Sequence, residues 1–120
     1  MKTDKVNYKK TEEKERDFAK LESDLDIYFE NKNLLIQAFV HRSYINESVK
    51  SKMSHNERLE FLGDAVLELA TTSFLYHKFT ELAEGELTTY RAALVNTKSI
   101  GAIAKDLNFN DYLFLSRGES

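Results

Sequence analysis

Apolar residues recur at intervals of three and four positions along almost the whole chain, and this spacing most constrains the fold. Phe18, Leu21, Leu25 and Tyr28 illustrate the pattern near the start of the sequence. The 120 residues include no proline and only four glycines, so few positions interrupt a helix. Because this spacing matches the period of the α-helix, the sequence predicts an all-α fold.

Polar stretches divide this pattern into helical segments. We predict helices over residues 18–28, 34–44, 55–79, 87–95 and 100–107. The polar, aperiodic stretch 46–54 is predicted to be a loop. Residues 1–16 are polar and of mixed charge, so they are predicted to be flexible or frayed. This organisation leaves residues 17–120 as one domain.

The composition excludes several classes of protein and site. With no cysteine, the chain has neither a disulfide framework nor a thiolate metal site. No apolar run reaches the roughly 18 residues that span a bilayer, so we predict a cytoplasmic protein without a membrane partner. The formal net charge of −3 argues against a general phosphate-binding surface. A nucleic-acid function would therefore depend on local geometry or on a bound cation.

The segment HNERLEFLGDAVLEL, residues 55–69, combines two opposed helical faces. One arc is predicted to face the core and carries the apolar residues Leu59, Leu62, Val66 and Leu69. The opposite arc carries four acidic residues, Glu57, Glu60, Asp64 and Glu68. No lysine or arginine shares the acidic arc, where like charges repel by a few tenths of a kcal/mol per pair. The arc is either a solvated helix surface or a cation site. In the second case Glu60 and Asp64, one turn apart, hold a divalent cation such as Mg²⁺.

Other residues around this helix also have more than one interpretation. Glu57 could serve a capping box with Ser54, while Arg42 is interpreted as structural, pairing with a helix-terminal carboxylate. Phe61 lies beside the acids, where it either marks an interface or packs under the 44–54 loop. Gly63 destabilises a helix interior by about 1 kcal/mol relative to alanine, which suggests close approach of another backbone or a ligand.

Three segments together carry a resemblance to the ribonuclease III family. HNERLEFLGDAVLEL resembles the family's signature helix, AFVHRSY (38–44) its upstream motif, and AEGELTTYRAALVNTKSIGAIAKDL (83–107) the segment that follows. The similarity covers roughly residues 18–118. It implies an all-α nuclease domain that forms a homodimer and accepts double-stranded RNA. In that family an Asp and a Glu three residues apart, on a later helix, complete the metal site. We therefore expect the chain to be an N-terminal portion of the domain, incomplete at its C-terminus and without the double-stranded RNA-binding domain.

The resemblance also implies roles for individual residues. Glu60 and Asp64 match Mg²⁺ ligands, for which Mn²⁺ can substitute, and Asp64 also matches a position required for catalysis. Glu57 and Glu84 match acidic positions with secondary catalytic roles, and Phe61 matches the aromatic residue that enters a socket on the other subunit. The implied reaction is hydrolysis of phosphodiester bonds in double-stranded RNA, giving 5′-phosphate and 3′-hydroxyl ends, as in the processing of ribosomal and messenger RNA.

Two questions remain open at the level of sequence. Arg91 and Lys98 either contact RNA phosphates or belong to a solvated helix face. The 120-residue chain, with half of the acidic ligands, is expected to be weakly active or inactive by itself. The alternative function is a non-catalytic, dimeric RNA-binding or scaffold module.

Overall fold

The computed structural model describes residues 16–47 and 54–116. Its elements are α1 (Phe18–Leu25), α2 (Lys32–Gln37), α3 (Arg42–Glu47), α4 (Glu57–Lys78), α5 (Glu84–Leu94), α6 (Thr97–Asp106) and a 3-10 helix (Phe109–Tyr112). Over these residues the structure has no β-strand, although Val40 and Phe114 form an isolated bridge. The predicted all-α fold is confirmed.

The chain divides into two compact units. Among the described residues, the first contains 16–47, 54–57 and 111–116, and the second contains 58–110. Helices α1, α2 and α3 belong to the first unit, whereas most of α4, with α5 and α6, forms the second.

Aromatic rings form the core of the first unit. Ring centroids lie 5.3 to 6.4 Å apart, mostly in the tilted arrangements that aromatic pairs favour. The cluster comprises Phe18, Phe39, Tyr44, Tyr112 and Phe114. Backbone hydrogen bonds hold the C-terminal segment in place, because the Phe114 N–H donates to the Phe39 carbonyl at 2.8 Å and its carbonyl accepts the His41 N–H at 3.0 Å. The core of this unit therefore joins segments distant in sequence.

Helix α1 ends three residues earlier than its apolar spacing predicts. Asp26 adopts a left-handed conformation, with φ of 57°, and closes the helix. The Glu22 carboxylate then accepts hydrogen bonds from the Phe29 N–H and from Lys32 Nζ, both at 2.7 Å. These contacts fold the chain back and leave Tyr28 exposed. The predicted extension of the helix to Tyr28 is therefore wrong.

The predicted helix over residues 34–44 is divided into α2 and α3. Residues 38–41 separate the two, where Val40 forms its bridge with Phe114. His41 then caps α3, since its Nδ1 accepts the Ser43 N–H at 3.0 Å. The predicted loop 46–54 is wrong at its start, because α3 extends to Glu47. Its residues 48–53, like the predicted flexible segment up to residue 15, lie outside the described residues.

In the second unit, α5 packs on the C-terminal half of α4. The rings of Phe79 and Tyr90 meet edge to face at 5.6 Å, and Arg91 Nη1 donates to Thr72 Oγ1 at 2.9 Å. Helix α5 begins at Glu84, three residues before the predicted start, because the Glu86 carboxylate accepts the Ala83 N–H at 3.1 Å.

The apolar face of α4 is largely exposed toward its N-terminal half. Leu62, Val66 and Leu69 are 57 to 70% exposed, whereas Leu75, farther along the helix, is buried. Arg91 of α5 contacts this helix at Glu68 and Thr72. The expectation that this face packs into a core is therefore wrong for these three residues in the described structure.

The Glu22 contacts predict a pH-dependent stability. Lys32 first, and then the Phe29 N–H, hold the pKa of Glu22 below its ordinary value. Because the pKa of Glu22 is lower in the folded chain than in the unfolded chain, its ionised carboxylate stabilises the fold at pH values above the unfolded-state pKa. This stabilisation is lost as the pH falls through the folded-state pKa. Glu22→Gln should therefore lower the Tm at neutral pH, and the difference from the unmodified chain should shrink under acid.

Circular-dichroism melts over a pH series would measure this effect. Asp24→Asn is the matched control, because Asp24 lies exposed on the same helix and pairs with the exposed Lys20. The prediction would be contradicted if the Tm difference between Glu22→Gln and the unmodified chain stayed constant across the acidic range.

Candidate active site

Four carboxylates line one side of α4 at successive turns. This acidic face consists of Glu57, Glu60, Asp64 and Glu68, and all four side chains are exposed. Residues three and four positions apart are neighbours on a helix surface, so each carboxylate lies next to another of the same charge. The predicted grouping on one helical face is confirmed by the continuous helix from Glu57 to Lys78.

Arginines from other helices compensate the two ends of the acidic face. Arg42 Nη1, at the start of α3, lies 2.7 Å from Glu57 Oε2. Arg91 Nη1, on α5, lies 3.9 Å from Glu68 Oε2. The predicted pairing of Arg42 with a helix-terminal carboxylate is confirmed. The counter-charges that the acidic face itself lacks thus come from segments distant in sequence.

Glu57 begins the helix and does not cap it with Ser54. A capping box requires the glutamate at the third helical position, but α4 starts at Glu57. The Glu57 N–H instead donates to His55 Nδ1 at 3.4 Å, and its carboxylate is directed at Arg42. The capping-box interpretation of Glu57 is therefore wrong. An acidic residue in the first turn still interacts favourably with the helix dipole.

Glu60 and Asp64 form the uncompensated centre of the acidic face. Among the described residues, neither carboxylate lies within 4.0 Å of a basic side-chain nitrogen. Two exposed carboxylates one turn apart supply hard oxygen donors, which suit Mg²⁺, an ion that keeps several waters when bound. Residues 16–47 and 54–116 contain no group of three or more His, Asp or Glu side chains arranged to hold a metal ion. The pair therefore fits part of an oxygen-ligand set.

Glu84 lies away from this pair in the described chain. Asp64 precedes the end of α4 at Lys78 by roughly four turns, about 21 Å along the helix axis. Glu84 begins α5 just beyond that end, after the short connection 79–83. The structure thus brings Glu60 and Asp64 together but places Glu84 near the other end of the helix. Its catalytic role stays a prediction.

Phe61 projects from α4 between the acidic and apolar faces. Its side chain is 83% exposed, as the helical wheel predicts for a residue beside the acids. A Cβ added at Gly63 would meet nothing within 4 Å in the described structure, so no close approach by this chain accounts for that glycine. The role of Phe61 at an interface stays a prediction.

The two basic residues considered for RNA contact differ in their surroundings. Arg91 is partly buried and bonded to Thr72, whereas Lys98 is exposed on α6. The Arg91 contacts have no signal in the sequence, because they join residues 19 and 23 positions apart on two helices. In the described part of the chain, no helix is both long and apolar enough to cross a membrane.

Solved structures identify the class of domain. The chain superposes on the nuclease domain of ribonuclease III from Campylobacter jejuni with a TM-score of 0.76 and 48% identity, covering 86% of this chain and 68% of that one. A second structure of the same domain matches with a TM-score of 0.75 and 48% identity, covering 88% of this chain and 67% of that one. The helical fold is thus that of a ribonuclease III nuclease domain.

Sequence comparisons agree with this class. The family described as Ribonuclease-III-like matches residues 31–120. Ribonuclease 3 of Enterococcus faecalis is 55% identical over 93 residues, which cover 78% of this chain and 40% of the relative. Ribonuclease 3 of Bacillus velezensis is 46% identical over 112 residues, covering 93% of this chain and 43% of the relative. The chain therefore belongs to the ribonuclease-III-like family, and it spans about two fifths of the length of these curated relatives.

Charge repulsion at the centre of the acidic face is measurable without metal. Glu60→Gln should stabilise the metal-free chain by about 0.3 kcal/mol at low ionic strength, because it removes repulsion with Asp64. Glu57→Gln should give no such gain, since it also removes the Arg42 ion pair. Thermal melts in chelator at low and high salt would measure both effects. Equal changes in Tm for Glu60→Gln and Glu57→Gln would contradict the inference that, of these two residues, only Glu57 has a compensating arginine in the described structure.

Proposed function

We propose that the full-length gene product is a Mg²⁺-dependent endoribonuclease that hydrolyses phosphodiester bonds in double-stranded RNA. The observation that carries the proposal is the exposed, uncompensated pair Glu60 and Asp64, in an acidic face whose two end carboxylates, Glu57 and Glu68, lie close to arginines. Membership of the ribonuclease-III-like family supports the same function. The proposed setting is RNA processing, including ribosomal and messenger RNA, in the cytoplasm.

Glu60 and Asp64 would hold the cation through carboxylate oxygens. A bound Mg²⁺, or Mn²⁺ as a substitute, would supply an activated water and stabilise charge on the phosphate and the leaving oxygen. Asp64 lies one turn after Glu60, so the two side chains reach the same side of the helix. The proposed products carry 5′-phosphate and 3′-hydroxyl ends.

The other acidic residues would support this pair. Glu57 lies one turn before Glu60, and Arg42 fixes its carboxylate at 2.7 Å. The paired Glu57 can orient a water or an RNA hydroxyl at the edge of the site without adding a full uncompensated charge. Glu84, near the far end of α4, would act on RNA or water at a distance from the pair of its own chain.

The proposed substrate contacts are local, in keeping with the net charge of −3. Lys98 is exposed on α6 and can present its ammonium group to an RNA phosphate. The guanidinium of Arg91, the other candidate for this role, is directed at Thr72 and Glu68.

Cleavage by the full-length gene product tests the proposal. With duplex RNA and Mg²⁺, Asp64→Asn should lower the cleavage rate by about a hundred-fold or more, because it removes a metal-ligand charge. Asp106→Asn is the matched control, since it neutralises an exposed carboxylate of α6 outside the acidic face. Denaturing gels would give the rates and the end groups. Absence of cleavage with Mg²⁺ and with Mn²⁺ would favour the non-catalytic dimeric module instead.

We further propose that the protein forms a homodimer through Phe61. An aromatic side chain that is 83% exposed is typical of a residue that anchors an interface. A solved structure of the Campylobacter jejuni relative concerns structural flexibility in a region involved in dimer formation of its nuclease domain. Insertion of Phe61 into a partner would remove this ring from water.

Association through Phe61 is tested by sedimentation. Phe61→Ala should weaken the dimer of the full-length product by at least tenfold in Kd, since truncation of an anchoring aromatic typically loses 2 kcal/mol or more, about 30-fold. Phe74→Ala, on the same helix and 56% exposed, serves as the control. An unchanged dimer in Phe61→Ala would remove the role proposed for that ring.

A further inference from the structure

Arg91 is engaged within the helix pair α4 and α5. Its Nη1 donates to Thr72 Oγ1 at 2.9 Å and lies 3.9 Å from Glu68 Oε2. The Arg91 side chain is 33% exposed, whereas that of Glu68 is 62% exposed. All of these residues belong to the second compact unit, so their geometry is internal to one body.

These contacts differ from those expected of a phosphate-binding arginine. Such a residue presents its guanidinium to solvent, where a phosphate can approach it. Here the guanidinium is turned toward α4, with its hydrogen bond to Thr72 in a partly buried position. The planar, permanently charged group can hold both the hydroxyl and the carboxylate.

The helix spacing gives these contacts a consequence for cation binding. Asp64 and Glu68 are four residues apart, the same separation as Glu60 and Asp64. Without a counter-charge the helix would offer two equivalent carboxylate pairs to a divalent ion. The Arg91 charge next to Glu68 makes the second pair less favourable, because it repels a cation there.

We propose that Arg91 is a positioning residue, which fastens α5 to α4 at Thr72 and neutralises Glu68, so that a divalent cation is confined to Glu60 and Asp64. This inference rests on the proposed function, in which that pair holds the metal. It assigns Arg91 a role within the protein in place of a contact to RNA.

Mn²⁺ binding to the 120-residue chain tests the inference without any activity assay. Electron paramagnetic resonance of free Mn²⁺ would follow the titration at about 0.1 M ionic strength, where exposed charges more than about 10 Å apart are largely screened from each other. Arg91→Met should bind Mn²⁺ roughly five-fold more tightly than the unmodified chain, because a positive charge close to the acidic face is lost. Lys98→Met makes the same change in net charge on α6 and should alter binding less than two-fold. Equal Mn²⁺ binding by these two variants would overturn the proposal.

Glu68→Gln provides a second test. It leaves the Arg91 charge uncompensated beside Asp64, so it should weaken Mn²⁺ binding several-fold, and Arg91→Met/Glu68→Gln, which removes both charges, should bind Mn²⁺ as the unmodified chain does. A double variant that binds Mn²⁺ as weakly as Glu68→Gln would mean that Glu68 itself holds the ion, which would overturn the proposal.

The salt dependence of RNA binding separates positioning from phosphate contact. Loss of one phosphate contact lowers the slope of log affinity against log salt by about one unit. Arg91→Met in the full-length product should leave the slope unchanged, and a decrease of about one unit would contradict the inference. Failure of the full-length product to bind or cleave RNA would count against the proposed function, whereas the Mn²⁺ comparison would still decide the role of Arg91.

Discussion

Repulsion among the carboxylates of α4 is the constraint on which the proposed site depends. Four acidic side chains follow one another at successive turns, and each neighbouring pair is destabilising by a few tenths of a kcal/mol. The protein offsets this repulsion at Glu57 and Glu68, through Arg42 and Arg91. The compensation does not extend to Glu60 and Asp64. The charge distribution therefore singles out one pair on an otherwise regular helix.

The pairing at the N-terminal end of α4 depends on the packing of the first unit. Aromatic contacts and the Val40 to Phe114 bridge fix the backbone between α2 and α3. His41 then caps α3 through the Ser43 N–H, and the helix begins at the next residue, Arg42. That position allows the Arg42 guanidinium to reach Glu57. The packing of the aromatic cluster thus determines where the Glu57 carboxylate is held.

The sequence correctly predicts the helices that depend on local residue patterns. Its predictions are wrong where contacts between residues distant in sequence determine the structure. The 3.6-residue period places α4 to within two residues at its start, because long amphipathic segments are strongly periodic. The same period extends α1 to Tyr28, since it cannot anticipate that the Glu22 carboxylate will bind Phe29 and Lys32. Similarly, the grouping of Glu60 with Asp64 follows from spacing alone. The arginines that compensate the ends of the face come from other helices and could not be placed from sequence.

The uneven compensation helps to distinguish a cation site from an ordinary wet surface. On a solvated helix surface, basic residues three or four positions from an acid relieve such repulsion. Here the flanking carboxylates have arginine partners, while Glu60 and Asp64 retain their mutual repulsion in the described structure. Functional sites commonly retain locally unfavourable arrangements, such as adjacent like charges, because their chemistry requires them. A bound divalent ion would supply the missing positive charge. The arrangement thus favours the interpretation of Glu60 and Asp64 as ligands, because among the described residues neither carboxylate is paired with a basic side chain.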